Sequence, residues 1–273
     1  MQIRYPLWLL CSIANISKSA YYKFKNKPIK REDPIEQLVL DIYNKSLKRA
    51  GYRSIKFILK NEYNVIVNHK KIQRIMQKND LRSIVRIKYK HTKEQQFKKN
   101  NILNRDFKST IPCKKFATDI TYIPTSSKMM YLSVVIDLFD NYPVAWNISD
   151  TQDKSLSIDT IKILAAKYNL NGAIIHSDQG VHYTNKEYIS LLEELVVNQS
   201  MSRKGNCWDN AVDESFFSHF KCESIYLMKN KIRYPKDVID ITEEYIDYYT
   251  NYRPQKKLAG MTPNLYRKSY NII

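Results

Sequence analysis

Apolar residues recur along the chain at two different spacings, which predict two kinds of structure. Between residues 35 and 79 they recur every three or four positions, as they do along the buried face of a helix. From residue 116 onward they gather in short runs separated by turn-forming residues, a pattern typical of strands. The chain is therefore predicted to begin with a helical part and to continue as an α/β part.

Three helices are predicted in the first part. The apolar stripe that starts at Ile35 is broken near Gly51, a second helix follows, and Asn68 can cap a third helix over residues 69–79. Two short helices, a turn and a basic helix are the ingredients of a helix-turn-helix, although any small three-helix unit would give the same pattern. The candidate DNA contacts in this part are Arg53, Lys70, Lys71 and Arg74.

Five strands are predicted in the second part. Short turns separate the first three strands, so these should pair antiparallel, whereas the later strands follow helices and need a crossover to pair in parallel. This order predicts a mixed five-stranded sheet flanked by helices. The strands are predicted at residues 116–123, 131–138, 144–148, 173–176 and 196–200, and the helices at 154–168, at 186–195 and from about 209.

The positive charge of the chain lies in its first part. The net charge is +18 over 273 residues. Residues 1–108 hold 26 Lys and Arg against 8 Asp and Glu, a net of +18, whereas residues 109–273 hold 19 of each. A solvated surface would also be charged, but an excess confined to one region favours a polyanionic partner such as DNA.

Nothing in the sequence predicts export or insertion into a membrane. No run of eighteen apolar residues is present, and the apolar stretch at residues 5–11 is too short for a signal peptide. The four cysteines have no metal-ligand spacing, as expected of reduced thiols. A cytoplasmic location without membrane contact is predicted.

Three acids stand in settings that favour metal chemistry. Asp119 lies within a predicted strand, where loss of hydration is costly unless something compensates. Asp178 follows another apolar strand, and Glu214 falls on a predicted helix. Any one of them could instead be an edge residue or the partner of an arginine. Together, such carboxylates form the ligand set that Mg²⁺ prefers, and two ions about 4 Å apart catalyse phosphoryl transfer.

The residues around these acids resemble the motifs of a known family. These sequence motifs are Phe116–Tyr122, His176–Gly180 and Trp208–Ala211, and 35 residues separate Asp178 from Glu214. On these motifs the chain resembles insertion-sequence transposases of the retroviral-integrase superfamily, whose integrase-like core is encoded by a second reading frame. The resemblance implies a ribonuclease-H-like fold. It also implies a DNA transposase that cuts strands at the ends of its element and transfers them to target DNA.

The same resemblance implies catalytic residues, a cofactor and partners. Asp119, Asp178 and Glu214 would be the catalytic metal ligands, holding two Mg²⁺ ions or, alternatively, Mn²⁺. The partners would be double-stranded DNA of the element ends and the target, further copies of the chain on that DNA, and the product of an upstream reading frame. The expected setting is the bacterial cytosol and nucleoid.

Additional DNA contacts are predicted close to the third acid. The family has a basic, glycine-containing loop before this helix, here with Arg203 and Lys204, although a merely solvated loop would look the same. Asn210 lies one turn before Glu214, and Lys221 lies about two turns after it on the same face. These four polar residues complete the predicted set of residues that touch DNA.

Other titratable residues near the acids are predicted to be structural. Asp137 is expected to accept hydrogen bonds within the fold. Asp213 is expected to point away from the site, because it precedes Glu214 by about 100° of helix. Glu223 is expected to hold Lys221 or a backbone group. The histidines predicted to hydrogen-bond a metal-binding residue, rather than the metal, are His176 and His182.

The tail carries a motif of its own. Residues 249–255 resemble the closing motif of the family, except that Thr250 and Gln255 replace the usual asparagine and histidine. The predicted domains are a basic helical DNA-binding region with its linker at 1–110, a catalytic core at 111–228, and a helical tail at 229–273.

Two rival functions are left open by the sequence. A ribonuclease-H-like nuclease would hydrolyse DNA but never join a 3′-end to a new strand. A catalytically silent DNA-binding regulator would keep the fold and the basic region without using the acids.

Overall fold

The computed structural model describes residues 5–26, 33–84, 102–103, 109–202, 211–228 and 231–270. The chain divides into two compact units, Met1–Leu38 and Val39–Ile273, each described by itself. In the first unit, Ser17 caps the second of two short helices by accepting a hydrogen bond from Ala20 N at 3.1 Å. None of the helices described is long and apolar enough to span a bilayer. These two helices are α1 (Leu7–Ile13) and α2 (Lys18–Lys25).

The helices predicted between residues 35 and 79 are present. The Asn68 side chain accepts a hydrogen bond from Lys70 N at 2.9 Å, as expected of a helix cap. Buried Ile72 and Ile75 then lie on the inner face of the capped helix, which packs against the helix before it. The three helices are α3 (Pro34–Lys45), which crosses the boundary between the two units, α4 (Tyr52–Tyr63) and α5 (His69–Lys78).

The predicted mixed sheet is confirmed, with strand order β3-β2-β1-β4-β5. The first three strands pair antiparallel through short turns, whereas β4 lies parallel to β1, and β5 lies parallel to β4. A helical crossover makes each parallel pairing possible. The strands are β1 (Lys115–Pro124), β2 (Met129–Asp137), β3 (Pro143–Ser149), β4 (Ile174–Ser177) and β5 (Asn198–Met201).

Apolar clusters cover both faces of this sheet. On one face, Phe116 and Ile175 pack against residues of the crossover helices such as Ile161. On the other, Ile123 and Leu132 pack against the C-terminal helices. The central strands are therefore dry on both sides, which explains their nearly continuous apolar sequence. The helices are α6 (Ser155–Lys167), α7 (Val181–Thr184), α8 (Lys186–Glu194), α9 (Ala211–Phe220), α10 (Pro235–Asp247) and α11 (Pro263–Ser269).

A buried ion pair fastens the last helix to the sheet. Arg267 is 3% exposed and donates to Asp137 Oδ2 at 2.7 Å and to the Asp140 carboxylate. Asp137 also accepts hydrogen bonds from the backbone amides of Cys113 and Phe139, so its predicted structural role is confirmed. Burial raises the pKa of Asp140 to about 6 although Arg267 opposes the change. The arginine thus offsets part of the charge of two acids that have left water, and Lys257 also acts on both of them.

Two contacts join the helices after residue 39 to the core. Arg49 Nε donates to the backbone oxygen of Glu223 at 2.8 Å, and Asn61 Nδ2 donates to Gly260 O at 2.8 Å. At Gly260 φ is +85°, and an added Cβ would lie 2.2 Å from the ring of Phe57. Only glycine allows this close approach without strain. The basic helices are therefore held directly on the α/β core.

Replacing Arg267 with methionine should destabilise the fold strongly, because it leaves two buried aspartates without their cation. We expect the free energy of unfolding to fall by about 3–5 kcal/mol in urea denaturation. The matched control is Lys268→Met at the adjacent exposed residue. This substitution should change the free energy of unfolding by about 0.5 kcal/mol or less. Equal midpoints for the two variants would show that the ion pair does not stabilise the protein.

Candidate active site

The parallel pairing of β1 and β4 brings Asp119 and Asp178 together. Ala117 pairs with His176 in this register, and each aspartate follows two residues later. Equal offsets keep the two side chains on one face, and neighbouring strands are about 4.8 Å apart. The end of β4 therefore places one carboxylate beside the other.

The helix that carries Glu214 covers the same face of the sheet. Ile123, on the Asp119 side of β1, packs in one cluster with Phe216 and Phe217 of α9. Burial, Asp178 and Glu214 raise the pKa of Asp119 to about 8, although a hydrogen bond from Ile120 N at 2.8 Å opposes the change. Part of Asp119 is still accessible, but protein surrounds its carboxyl group. The three predicted acids thus act on one another electrostatically.

Asp178 is held in one orientation by the turn that follows it. Its Oδ1 accepts a hydrogen bond from Gly180 N at 2.8 Å. A Cβ added to Gly180 would lie 2.8 Å from this same oxygen, so any other residue would displace the carboxylate. Glycine at this position therefore allows the backbone amide to approach and orient the acid.

The prediction that Asp213 points away from the site is wrong. Asp213 is 1% exposed, and neither carboxylate oxygen has a hydrogen-bond partner among the described residues. Burial raises its pKa well above the usual value, and Asp119 and Asp178 raise it further. The sequence held the signal, because Asp213 shares the i, i+3, i+4, i+7 stripe of the buried phenylalanines of α9. These phenylalanines are Phe216, Phe217 and Phe220.

Lys221 is a cation that acts on Asp119. It lowers the pKa of Asp119, while burial lowers its own pKa. Here α9 continues into a π-helical turn, Lys221–Ile225, closed by a hydrogen bond from Tyr226 N to Lys221 O at 2.8 Å. Lys221 thus lies within electrostatic range of Asp119, and its contact with DNA stays a prediction.

The prediction that Glu223 holds Lys221 or a backbone group is wrong. Arg253, thirty residues further along, donates to Glu223 from Nε and Nη2 at 3.0 Å, and the Tyr245 hydroxyl donates at 3.2 Å. His219 Nδ1 lies 3.0 Å from the same carboxylate. Burial raises the pKa of Glu223, but the hydrogen bonds of His219 and Arg253 outweigh it and hold the pKa at about 2. Glu223 therefore belongs to a structural ion pair.

The chemistry of the acids fits a divalent cation. Asp119 and Asp213 are costly to ionise beside Asp178 and Glu214, and a cation would offset the repulsion among them. In the described ranges, however, no three His, Cys, Asp or Glu side chains meet closely enough to form a ready-made metal site. The acids therefore fit a metal by charge and ligand type, and closure around an ion requires them to move closer.

The two histidines predicted to support the acids differ in their contacts. His176 Nδ1 hydrogen-bonds Ser200 Oγ at 2.9 Å, which joins β4 to β5. His182 is buried, and neither ring nitrogen has a hydrogen-bond partner in the part of the chain that is described. The predicted link from His182 to a metal-binding residue is therefore not formed.

The predicted DNA contacts other than Lys221 fall into two groups. Arg203, Lys204 and Asn210 lie outside the described residues. In the helical part, three of the four predicted cations are exposed and Lys71 is half-buried. The exposed cations are Arg53, Lys70 and Arg74.

Comparison with known families matches most of the chain. Residues 109–207 and residues 195–263 match two families that are both described as an integrase core domain. Residues 30–89 match an HTH-like domain, which covers α3 to α5. The sheet with its acids and the basic helices thus correspond to two separate known modules.

Individual relatives extend over nearly the same length. The InsK protein of insertion sequence element IS150 from Escherichia coli (strain K12) is 36% identical over 269 residues, covering 96% of this chain and 94% of InsK. The transposase for insertion sequence element IS904 from Lactococcus lactis is 32% identical over 228 residues, which cover 82% of this chain and 88% of that transposase. The magnesium complex of the HTLV-2 integrase catalytic core domain aligns at 15% identity with a TM-score of 0.43, over 56% of this chain and 95% of that one. The chain is thus similar along most of its length to proteins of insertion sequence elements.

The Glu223 ion pair predicts a pH dependence of stability. The carboxyl group has a pKa of about 2 in the folded chain against a usual value of 4.5. Its stabilising effect is therefore complete above about pH 5 and is lost as the pH falls through about 2. The difference in unfolding free energy between the wild type and Glu223→Gln should shrink by about 3 kcal/mol between pH 6 and pH 2.

Urea denaturation across this pH range measures that difference. Glu243→Gln, at an exposed position of α10, is the matched control and should show a difference that hardly depends on pH. A difference for Glu223→Gln that is constant with pH would contradict the assigned ion pair.

Proposed function

Because the chain belongs to the insertion-sequence transposases that carry an integrase core domain, we propose that it cuts DNA strands at the ends of its element and joins them to target DNA at a divalent-metal site formed by Asp119, Asp178 and Glu214. The observation that carries the proposal is the register of β1 and β4, which sets two of these acids side by side. The electrostatic effect of Glu214 on Asp119 adds the third.

The proposed cofactor is a pair of Mg²⁺ ions, with Mn²⁺ as a substitute. Bound ions would activate the attacking oxygen and stabilise the leaving oxygen of the phosphodiester. Asp119, Asp178 and Glu214 would hold the ions, and Asp119 is the acid on which both others act. Lys221 is assigned to the DNA phosphate, since it acts electrostatically on Asp119.

The proposed reaction has two steps of the same kind. In the first, water attacks a phosphodiester at the element end, and the bond to a 3′-oxygen breaks to give a free 3′-hydroxyl. In the second, this hydroxyl attacks a target phosphodiester, so that one P–O bond forms as another breaks. No external energy and no covalent protein–DNA intermediate are needed, and no serine or tyrosine nucleophile is assigned.

The proposed partners follow from the basic helices. The exposed cations Lys70 and Arg74 lie on α5, which is the helix assigned to the element ends. An oligomer of this chain, or its complex with the product of an upstream reading frame, would bring two ends together for joining. The nuclease and regulator alternatives are not favoured, because the relative from Lactococcus lactis is named as a transposase.

Asp119→Asn tests the metal site directly. We expect the amide to lower Mg²⁺-dependent cleavage and joining of end DNA by about a thousandfold, since it removes a shared metal ligand. DNA affinity should stay within about threefold, because the basic region is untouched. The assay is a time course of labelled duplex DNA on a denaturing gel.

The control is Asp240→Asn, at an exposed position of α10, which should retain full activity. Cleaved DNA without joined product from the wild type would favour the nuclease. An Asp119→Asn protein that cleaves and joins at the wild-type rate would exclude the proposed site.

A further inference from the structure

The proposed function assigns no role to Asp213, a buried acid of α9. The residue is 1% exposed, and neither carboxylate oxygen has a hydrogen-bond partner in the described part of the chain. Buried polar groups are almost always hydrogen-bonded, and buried carboxylates are paired with a cation or bind a metal. A buried carboxyl group that no described residue holds therefore indicates a cation that comes from outside the fold.

The helix turns this carboxyl group towards the face of the sheet that carries Asp119. Asp213 lies three residues before Phe216 and four before Phe217, so the three side chains form one stripe of α9. Both phenylalanines are buried in the same cluster as Val134, which is the cross-strand neighbour of Asp119. Directly opposed residues of two antiparallel strands point to the same face. Asp213 therefore faces the part of the sheet where Asp119 lies.

The strand acids act on Asp213 more strongly than the acid next to it in the chain does. Asp119 has the largest electrostatic effect on Asp213, Asp178 the next and Glu214 the smallest of the three. The backbone amide of Asp213 favours its charged form, but this effect is smaller than that of any of the three acids. Asp213 therefore lies within electrostatic range of both aspartates at the end of the β1–β4 pair.

A fourth carboxylate changes how such a site holds an ion. Mg²⁺ is usually bound through one or two carboxylates, and the phosphate oxygens of a substrate and water complete its shell. The affinity of a site for a divalent ion also depends on how many of its ligands are charged. A site with four acids therefore attracts an ion strongly even when no phosphate is present.

We propose that Asp213 is a fourth acid of the divalent-metal site and that it allows the chain to bind an ion before DNA arrives. The inference rests on the proposed function for the other three metal ligands. Asp213 on the helix would face this ion together with Asp119 and Asp178 on the strands. The ion is then the partner that the buried carboxylate lacks among the described residues.

Binding of Mn²⁺ to the full chain without DNA tests this assignment. Metal-free protein is titrated with Mn²⁺, and the free ion is measured by its electron paramagnetic resonance signal. We expect the wild type to bind the ion and Asp213→Asn to bind it about tenfold more weakly, because one carboxylate is lost. Asp213→Ala, which removes the carboxyl group without adding an amide, should weaken binding by a similar factor.

The matched control is Asp240→Asn, which makes the same change of charge at an exposed position of α10 and should bind Mn²⁺ as the wild type does. A second measurement, the thermal midpoint in EDTA, separates a metal ligand from a structural acid. Asp213→Asn should unfold at or above the wild-type midpoint, because no described residue holds the carboxylate. A midpoint several degrees lower would show that another part of the chain holds it and would overturn the proposal.

The titration also separates this inference from the proposed function. Equal Mn²⁺ affinities of Asp213→Asn and the wild type, together with weaker binding by Asp119→Asn, would overturn the role of Asp213 and leave the site of three acids standing. A wild-type chain that binds no Mn²⁺ at about 1 mM without DNA would also overturn the inference. The proposed function would then still be decided by metal-dependent cleavage and joining of DNA.

Discussion

Negative charge crowded at the centre of the sheet is the constraint on which the site depends. Asp119, Asp178, Asp213 and Glu214 share one face, and the pKa of Asp119 rises to about 8 in their company. Such an arrangement costs folding free energy, because burial and the neighbouring carboxylates make Asp119 and Asp213 harder to ionise. The fold keeps these acids together through dry packing on both faces of β1. The repulsion among them is what would draw in a cation.

The buried acids away from this face form ion pairs with arginines. Asp137 and Asp140 share Arg267, and Glu223 is held by Arg253. These ion pairs hold the tail on the sheet and stabilise the end of α9. In the described part of the chain, Asp119 and Asp213 have no such arginine. Buried acids with an arginine are therefore structural here, and those without one line the site.

Local sequence patterns predicted most of the fold, whereas contacts between residues far apart in the chain could not be predicted from them. The cap at Asn68 and the division into antiparallel and parallel strands followed from spacing and turn residues, whereas the ribonuclease-H-like arrangement was implied by the family resemblance. The direction of the Asp213 side chain was predicted wrongly because only its helical angle from Glu214 was considered. The buried stripe that Asp213 shares with Phe216 decides its environment. Arg253 could not be identified as the partner of Glu223, since helical spacing reaches only about two turns and this contact joins elements thirty residues apart.

The most direct test of the account is the thermal midpoint of unfolding with and without Mg²⁺. A cation that binds the folded acids should raise the wild-type midpoint by several degrees, at about 2–4 °C per kcal/mol of binding free energy. Asp119→Asn should show no such rise, and in EDTA it should be at least as stable as the wild type because the amide removes repulsion. An equal response of both proteins to Mg²⁺, or a wild type that does not respond, would contradict the account.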